Sequence, residues 1–433
     1  MSNLSDLLPA GAGGKQVDFV ASGTLPSGKT VALKTNGQVE VVGETSILEA
    51  AGSPTVFETG RTYYSSICYD SNADKVVLSY LDETNSNYAT SIVGTVNDTS
   101  ISFGTAVIIS SGNTNYLASA FDSNANKVVV VWVESATGKS SVGTVSGTSI
   151  SFGSAVNFRT GATEKLAITF DTTNNKVVVA YVAANIAEYG YFNVGAVSGT
   201  SISWGGQRTF LNGVCQWVAL TYDSNVNRIV FAFRTNNVSA YGRSCVGNIT
   251  NNTEITFGPT TTFNAPIISN VEATFDTNAN KVVLSYVDGT NGNYYPTAIV
   301  GTISGYAISF GTKVVINSGN AYDTVPVFDP ASKKITVGYN NVPAGAYAVY
   351  SSGTVSGTSI SFGSSTAWNS SNSSGFFGTA TTNRVVFSYQ DTGNSYYGTA
   401  VVIRNADTLT NNTSFVGITD AAIANSATGS VTV

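Results

Sequence analysis

The chain contains no histidine among its 433 residues. Catalytic triads, general bases and metal sites that depend on an imidazole are therefore excluded. Cysteine is scarce as well. The three cysteines, Cys68, Cys215 and Cys245, are an odd number and have no CxxC spacing. This argues against a disulfide framework or a zinc site. Cys68 lies in an apolar strand pattern, so we expect it to be buried.

Charge is also scarce, since only 11% of the residues are charged and the net charge is −6. No basic cluster is available to neutralise phosphates, so we expect no nucleic-acid partner. No apolar run reaches membrane-spanning length, so we expect no membrane partner. The N-terminal MSNLSDLLPAGAGGKQ lacks the basic start and apolar core of a signal peptide.

The apolar residues are mainly Val, Ile, Thr, Tyr and Phe, which favour β-strands. A first repeated pattern reads aromatic-Asp-Ser/Thr-Asn-x-Asn-Lys-Val-Val-x-x-Tyr, as in FDSNANKVVVVW at residues 121–132. Aligning Thr379 with these aspartates gives seven copies at spacings of 52, 49, 52, 53, 53 and 50 residues. The aspartates are Asp70, Asp122, Asp171, Asp223, Asp276 and Asp329.

A second repeated pattern, V-G-T-V-x-G-T-S-I-S-F-G, alternates with the first. Its Ile and aromatic residues are spaced i, i+2, for example Ile101 and Phe103, so both lie on one face of a strand. The glycine that follows, such as Gly104, predicts a bulge or a tight bend.

Each repeat thus resolves into four strands in about 50 residues, which predicts an all-β, seven-bladed β-propeller over residues 46–404. The first–second and third–fourth connections are short and the others long, so we expect one regular face and one loop-rich face. The strand at residues 52–60 resembles residues 153–161 and would close the ring on the last blade. An open β-solenoid is the alternative.

The two ends read differently from the repeats. Residues 1–16 suggest a flexible or virion-docking arm, and residues 17–45 predict a β-hairpin around Asn36-Gly37. Residues 405–433 carry one or two strands without a core of their own, which suggests an attachment or oligomerisation segment. The final GSVTV predicts a strand that pairs with a neighbour or belongs to a longer chain.

Tyrosines cluster with Asn, Gly and Thr in the long loops before each third strand. Exposed tyrosine can stack on sugars and bond their hydroxyls, although these residues can equally start a strand and pack on the next blade. Adjacent strand residues point to opposite faces, so we expect one member of each Tyr-Tyr pair to be exposed. The ligand-binding candidates are Tyr88, Tyr294, Tyr295, Tyr396 and Tyr397.

The D-x-N-x-N-K loops resemble oxygen-rich calcium loops, and Asp70, Asn72 and Asp74 form the copy with two carboxylates. The favoured interpretation is a turn, because Asp and Asn bond their own backbone and accept left-handed conformations. The S-x-D-x-G-x-T-W motif of sialidase-type propellers is absent and the arginines are few and scattered. We therefore predict no enzyme activity and no cofactor.

The opening ASGTLPSGKTVALKTNGQVEVV, the repeats and the closing TSFVGITDAAIANSATGSVTV resemble structural proteins of marine tailed phages, namely tail fibres and virion-associated proteins. The resemblance implies a virion location, with other virion proteins bound through the termini. We expect a fibre, spike or surface appendage whose propeller recognises a host glycan or receptor, as a homo-oligomer in some arrangements. Alternatives are a capsid or tail decoration or adaptor protein without a host ligand, and a secreted adhesin.

Overall fold

The computed structural model describes residues 16–34, 36–41, 44–184, 188–236, 240–410, 415–419, 423–424 and 426–432. The arm predicted at residues 1–16 lies outside the described residues except for Gln16. The chain divides into two compact units, one formed by its two ends and one spanning Glu49–Asn405. Regular structure in the described residues is β-strand, apart from short 3₁₀ turns at Thr290–Gly292 and Val342–Ala344. None of the described segments is a helix long and apolar enough to cross a membrane.

The unit formed by the ends contains a five-stranded sheet with the strand order β1 (Gln16–Val20), β39 (Thr428–Thr432), β38 (Phe415–Thr419), β2 (Thr30–Leu33) and β3 (Val39–Val41). The turn at Asn36-Gly37 joins β2 to β3, which pair antiparallel. The strand of the GSVTV segment pairs with β1 of the same chain, so it has a partner without a neighbouring molecule. Two further strands of this unit, β4 (Glu44–Ile47) and β37 (Asp407–Thr410), lie outside this sheet.

A small core holds this unit together, and it is contributed by both ends of the chain. Leu25, Val31 and Val39 from the N-terminal segment pack with Ile423 and Val431 from the C-terminal segment. The C-terminal strands therefore share a core with the N-terminal ones, which the sequence of residues 405–433 alone did not indicate. Strands β4 and β37 pair separately.

In the second unit each sequence repeat forms an antiparallel meander, and we number these meanders copy 1 to copy 7. We call the first strand of each meander the inner strand. The inner strands are β6 (Thr55–Asp70), β11 (Thr114–Asp122), β16 (Thr163–Asp171), β20 (Arg208–Asp223), β25 (Ile268–Asp276), β30 (Thr324–Asp329) and β34 (Thr366–Ala380). The second strands are β7 (Lys75–Asp82), β12 (Lys127–Glu134), β17 (Lys176–Ala183), β21 (Arg228–Thr235), β26 (Lys281–Asp288), β31 (Lys334–Asn341) and β35 (Val385–Asp391).

The third strands are β8 (Tyr88–Asn97), β13 (Thr137–Ser146), β18 (Tyr189–Ser198), β22 (Gly242–Thr250), β27 (Tyr295–Ser304), β32 (Tyr347–Ser356) and β36 (Tyr397–Arg404). The outer strands begin with β9 (Ser100–Phe103), β14 (Ser149–Phe152), β19 (Ser201–Trp204), β23 (Glu254–Phe257), β28 (Ala307–Phe310), β33 (Ser359–Phe362) and, in copy 7, β5 (Ala50–Ala51). Each outer, or fourth, strand is interrupted and has a second segment. In copies 1, 2, 4 and 5 the second segments are β10 (Val107–Ser110), β15 (Val156–Arg159), β24 (Thr261–Asn264) and β29 (Val314–Val315).

Three long strands serve two copies each. The first part of β20 pairs with β18 of copy 3, and its second part pairs with β21 of copy 4. Strand β34 joins copies 6 and 7 in the same way. Strand β6 pairs with β36 over residues 55–61 and with β7 over residues 62–70. The segment at residues 52–60 thus supplies outer-strand residues to copy 7.

The second strands are buried on both faces, which explains their continuous Val-Val runs. Val76 and Leu78 of copy 1 pack with Val386 and Val402 of copy 7, whereas the alternating Val77 packs with Val128 of copy 2. Inner strands also contact in chain order, and β34 contacts β6. Apolar cores therefore lie between successive copies, including between the last and the first.

The glycine that ends the second pattern lies where the outer strand is interrupted, and it is also a docking point for the next copy. A Cβ atom on Gly104 would overlap the carbonyl oxygen of Thr148, in the third–fourth turn of copy 2. Gly52 of copy 7 meets Thr99 of copy 1 in the same manner. Close approach of a neighbouring backbone, more than the bend alone, requires glycine here.

The repeated aspartate shapes the short turn between the first two strands. Asp122 accepts hydrogen bonds from the backbone N–H groups of Asn124 (3.0 Å) and Ala125 (2.8 Å). Asn126, at the end of the turn, has a φ of 53°, a left-handed conformation that asparagine tolerates well.

The alignment of Thr379 with these aspartates is wrong. Thr381 accepts the bonds from the N–H groups of Asn383 and Arg384 instead. The turn of copy 7 is two residues shorter, so an alignment anchored on the following basic residue misplaces the capping residue by two.

Candidate functional site

In copies 1, 2, 3, 5 and 7 a bulge interrupts the inner strand six residues before the turn-capping residue. In copy 2 the register shifts between Asn115 and Leu117, which leaves Tyr116 unpaired with a φ of 46°. Tyr64, Lys165 and Asn270 occupy the same position with φ values of 44°, 52° and 44°. Side chains held in this conformation are strained, and such strain is concentrated at functional sites.

We call the set of residues six places before the caps the mouth ring, whether bulged or, like Trp217, paired in the strand. Its members are Tyr64, Tyr116, Lys165, Trp217, Asn270, Asp323 and Gly375. The capping position and the outer-strand glycine repeat almost unchanged from copy to copy, whereas the mouth ring differs in nearly every copy. The fold therefore does not fix the side chain at this position.

Five mouth-ring residues line a cavity of about 220 Å³ that is surrounded by six inner strands. This volume is below the roughly 300–1,000 Å³ of pockets that enclose drug-sized ligands. The cavity therefore has room for one small unit of a larger ligand. Phe377 and Glu272 lie on its wall and continue into the space beneath it.

One side of the mouth is aromatic and cationic. The rings of Tyr64 and Tyr116 lie 4.7 Å apart between centroids. The Lys165 ammonium lies 5.1 Å from the centroid of Tyr116 and 4.2 Å from that of Trp217. Burial lowers the pKa of Lys165 while the Glu164 carboxylate opposes the shift. These cation–π contacts keep a charged group at an otherwise apolar wall.

The same pattern continues outward from the mouth. The Arg61 guanidinium lies 4.7 Å from the ring centroid of Tyr63 and 4.3 Å from that of Tyr396, and it forms an ion pair with Glu83 at 3.0 Å. Tyr63 lies 6.3 Å from Tyr64. We call the resulting series the aromatic–cationic band; it consists of Tyr396, Arg61, Tyr63, Tyr64, Tyr116, Lys165 and Trp217.

The other side of the mouth is polar and acidic. Asn270 donates to Asp323 at 3.4 Å, and the Gly375 N–H donates to the other oxygen of Asp323 at 3.0 Å. Burial raises the pKa of Asp323. Burial, and to a smaller extent the charge of Asp323, raises the pKa of Glu272 to about 8. Among the described residues no Lys or Arg forms an ion pair with either carboxyl.

The predicted tyrosines fall into two groups. Tyr88, Tyr295 and Tyr397 are each the first residue of a third strand and are half-buried, which fits a packing role. Tyr294 and Tyr396 directly precede two of these strands and are 43% and 40% exposed.

Tyr294 and Tyr396 also link neighbouring copies through their backbone. The Tyr396 carbonyl accepts the N–H of Thr62 at 3.2 Å, and the Tyr294 carbonyl accepts the N–H of Ala321 at 2.7 Å. Tyr396 joins the aromatic–cationic band, whereas Tyr294 lies beside the next inner strand. The structure thus brings one of the predicted residues to the mouth region.

The cation-site candidate has turn contacts instead. Asp70 accepts from the N–H groups of Asn72 and Ala73 at 3.0 and 2.9 Å, and Asp74 accepts from the Tyr69 hydroxyl at 2.7 Å. No group of three or more acidic, Cys or His side chains that could hold a metal occurs among the described residues. These contacts favour the turn interpretation.

The three cysteines are free and buried, and the expected burial of Cys68 is confirmed. Burial raises the pKa of Cys68 and of Cys245 to about 12. A thiol in this state is a poor nucleophile, so the cysteines act as small apolar side chains in the core.

No protein-family profile matches the sequence, and no curated protein matches it. Among solved structures the chain is similar to the BP39L lectin from Burkholderia pseudomallei, with a TM-score of 0.61 and 9% identity over 82% of this chain and 100% of the lectin. Saccharomyces cerevisiae Sqt1 aligns with a TM-score of 0.47, 11% identity, and coverage of 84% and 100%. A protein of unknown function from Dyadobacter fermentans aligns with a TM-score of 0.46 and 9% identity, over 84% of this chain and 100% of that protein. The likeness to the lectin agrees with a β-propeller-like all-β fold.

Proposed function

We propose that residues 49–405 form a closed seven-bladed β-propeller in which each copy is one blade. Three contacts between copies 7 and 1 support closure. Gly52 docks on Thr99 as the other outer-strand glycines dock on their neighbours. The Tyr396 carbonyl bonds the inner strand of copy 1. Arg384 and Arg404 both bind the Asp98 carboxylate, at 2.6 and 3.0 Å.

The protein is, in this proposal, a non-enzymatic surface component of a tailed-phage virion that recognises a polysaccharide on the host surface. The observation that carries the recognition is the aromatic–cationic band, which leads from the exposed Tyr396 to the cavity at the mouth. Aromatic faces stack on the C–H faces of sugar rings, while hydroxyl and cationic groups bond sugar oxygens. The virion location rests on the resemblance of the sequence to phage structural proteins.

The unit formed by the two ends serves as the attachment part in this proposal. Its sheet leaves Val17, Val20 and Leu33 between 37% and 42% exposed, which supplies apolar area for other virion proteins. The same surface fits the alternative of a decoration or adaptor protein, in which binding to virion proteins is the whole function.

Binding of the full chain to a panel of purified bacterial surface polysaccharides tests the recognition. Tyr64→Ala and Tyr396→Ala should each weaken binding by about fivefold to tenfold, the effect of removing an interface ring worth roughly 1–1.4 kcal/mol. Tyr306→Ala is the matched control, because Arg228 covers the Tyr306 ring at 4.7 Å in a short third–fourth turn outside the band.

Saturable binding that only the band variants weaken supports the proposal. A well-folded chain that binds no polysaccharide, or equal weakening by Tyr306→Ala, contradicts it and favours the decoration or adaptor function.

A further inference from the structure

The acidic side of the mouth cavity is built differently from the rest of the inner-strand ring. Four residues before the capping residue, copies 1 to 4 carry the small side chains of Ser66, Ala118, Ala167 and Ala219, and copies 6 and 7 carry the apolar Val325 and Phe377. Copy 5 carries Glu272 there, inside the cavity. Packing does not require a carboxyl at this level, because small or apolar side chains occupy the position in the other six copies.

Glu272 also lacks a partner of its own. Among the described residues it forms no hydrogen bond or ion pair, and its charged neighbour is the like-charged Asp323. Asp323 is held by Asn270 and by the Gly375 N–H, which leaves the repulsion between the two carboxyls uncompensated. Two ionised carboxyls in one cavity repel each other, so one of them keeps its proton unless a cation binds beside it.

We infer that the mouth cavity receives the protonated amine of an amino-sugar unit, with Glu272 and Asp323 binding the ammonium group and the rings of Tyr64 and Trp217 contacting the sugar. This inference rests on the proposed polysaccharide recognition, of which it specifies the ligand class. The aromatic wall favours a sugar-borne ammonium over a bare metal ion, and the acidic cluster has too few carboxyls for a metal cage.

The protein's own lysine shows that this wall accommodates an alkylammonium group, since the Lys165 ammonium lies 5.1 Å from the ring centroid of Tyr116 and 4.2 Å from that of Trp217. The balance of charges around the cavity also predicts whether cationic or anionic sugars bind there. Glu272 and Lys165 line the cavity, and Glu164 and Asp323 act electrostatically on Lys165 and Glu272, so the acidic groups outnumber the single cation and an anionic sugar is disfavoured.

Titration calorimetry of the full chain at pH 7 with glucosamine oligomers, and with N-acetylglucosamine oligomers of equal length, tests the inference. The amine oligomers should bind at least about tenfold more tightly, as expected for a charge-assisted hydrogen bond. Glu272→Gln should erase this difference, because the amide keeps the shape of the carboxyl but cannot release a proton to become the anion that pairs with the ammonium group. Lys165→Met should strengthen amine binding by removing the competing cation.

Glu254→Gln is the matched control, since Glu254 lies on an outer strand and pairs with Arg208. Equal affinity for both oligomers, or wild-type affinity in Glu272→Gln, overturns the inference. Titration with calcium chloride that shows calcium binding to the wild type but not to Glu272→Gln also overturns the inference, because the acidic side of the mouth cavity is then a metal site.

Failure of the inference is distinguishable from failure of the proposed function. If surface polysaccharides bind through Tyr396 and Glu272→Gln changes nothing, polysaccharide recognition holds and the amine site does not. If amine oligomers bind through Glu272 and no surface polysaccharide binds, the amine site holds and host recognition does not.

Discussion

Glu272 is a carboxyl that folding makes harder to ionise. Its pKa is raised from the ordinary 4.5 to about 8, first by burial and then by Asp323. Lys165 and Glu164 are the other charged groups around the cavity, with the hydroxyls of Tyr64 and Tyr116. Between pH 4.5 and 8 the unfolded chain releases the Glu272 proton while the folded chain retains it, so the free energy of unfolding falls as the pH rises.

Glu272→Gln should therefore stabilise the protein in a pH-dependent way. The melting temperature of the variant should match that of the wild type near pH 4 and exceed it increasingly up to pH 8. Above pH 8 the difference should stay constant, since both states of the wild type are then ionised. Thermal unfolding followed by circular dichroism at several pH values measures this.

Glu254→Gln, at a half-exposed side chain, should show no such rise. A constant difference between wild type and Glu272→Gln across the range would mean that Glu272 titrates as an ordinary surface carboxyl. A remaining slope in the variant is expected from Asp323, whose pKa is also raised by burial.

At the scale of the strand, the outer-strand glycines couple one copy to the next. Gly104 and Gly52 approach the backbone carbonyls of Thr148 and Thr99 so closely that a Cβ atom has no space. Copy 6 provides a natural comparison, because Gly363 has only the Ser352 carbonyl oxygen at 3.7 Å from the position of a Cβ atom. Copy 7 has no third–fourth turn to dock there.

Gly104→Ala and Gly52→Ala should each lower the free energy of unfolding by about 2 kcal/mol, within the range of overpacking a tight contact. Gly363→Ala should change it by less than about 0.5 kcal/mol. Urea unfolding of the three variants measures the effect. A neutral Gly52→Ala beside a destabilising Gly104→Ala would mean that copies 7 and 1 do not dock, and the ring would be open.

The sequence predicts structure best where one residue type has a repeated duty. The capping aspartates, the turn asparagines and the Val-Val runs recur because each copy needs the same turn and the same two-sided burial. Copy 7 shows the limit, since its shortened turn moved the capping role from Thr379 to Thr381. A length change inside a turn cannot be seen from an alignment on the neighbouring strand.

The mouth ring was missed for the opposite reason. Its residues share a backbone position and not a residue type, so no repeated letter marks them. A signal was present, because counting back six residues from each aspartate gives Tyr, Tyr, Lys, Trp, Asn and Asp. Five of the side chains at this position line the cavity. The sequence predicted the loop tyrosines as ligand-binding residues instead, although Tyr88, Tyr295 and Tyr397 start strands and are half-buried.

At the scale of the whole molecule, we propose that a ligand binds at the mouth ring, where the inner strands begin. Trp217 lies on the cavity wall, whereas Trp368 is buried in the core between copies 6 and 7. A ligand at the mouth should therefore change the environment of Trp217 and leave that of Trp368 unchanged.

The most direct measurement is a titration of tryptophan fluorescence with a surface polysaccharide that the protein binds. The wild type and Trp368→Phe should show a saturable change in emission, and Trp217→Phe should lose it. Binding that leaves the emission unchanged, or a signal that persists in Trp217→Phe, would place the ligand elsewhere and contradict recognition at the mouth.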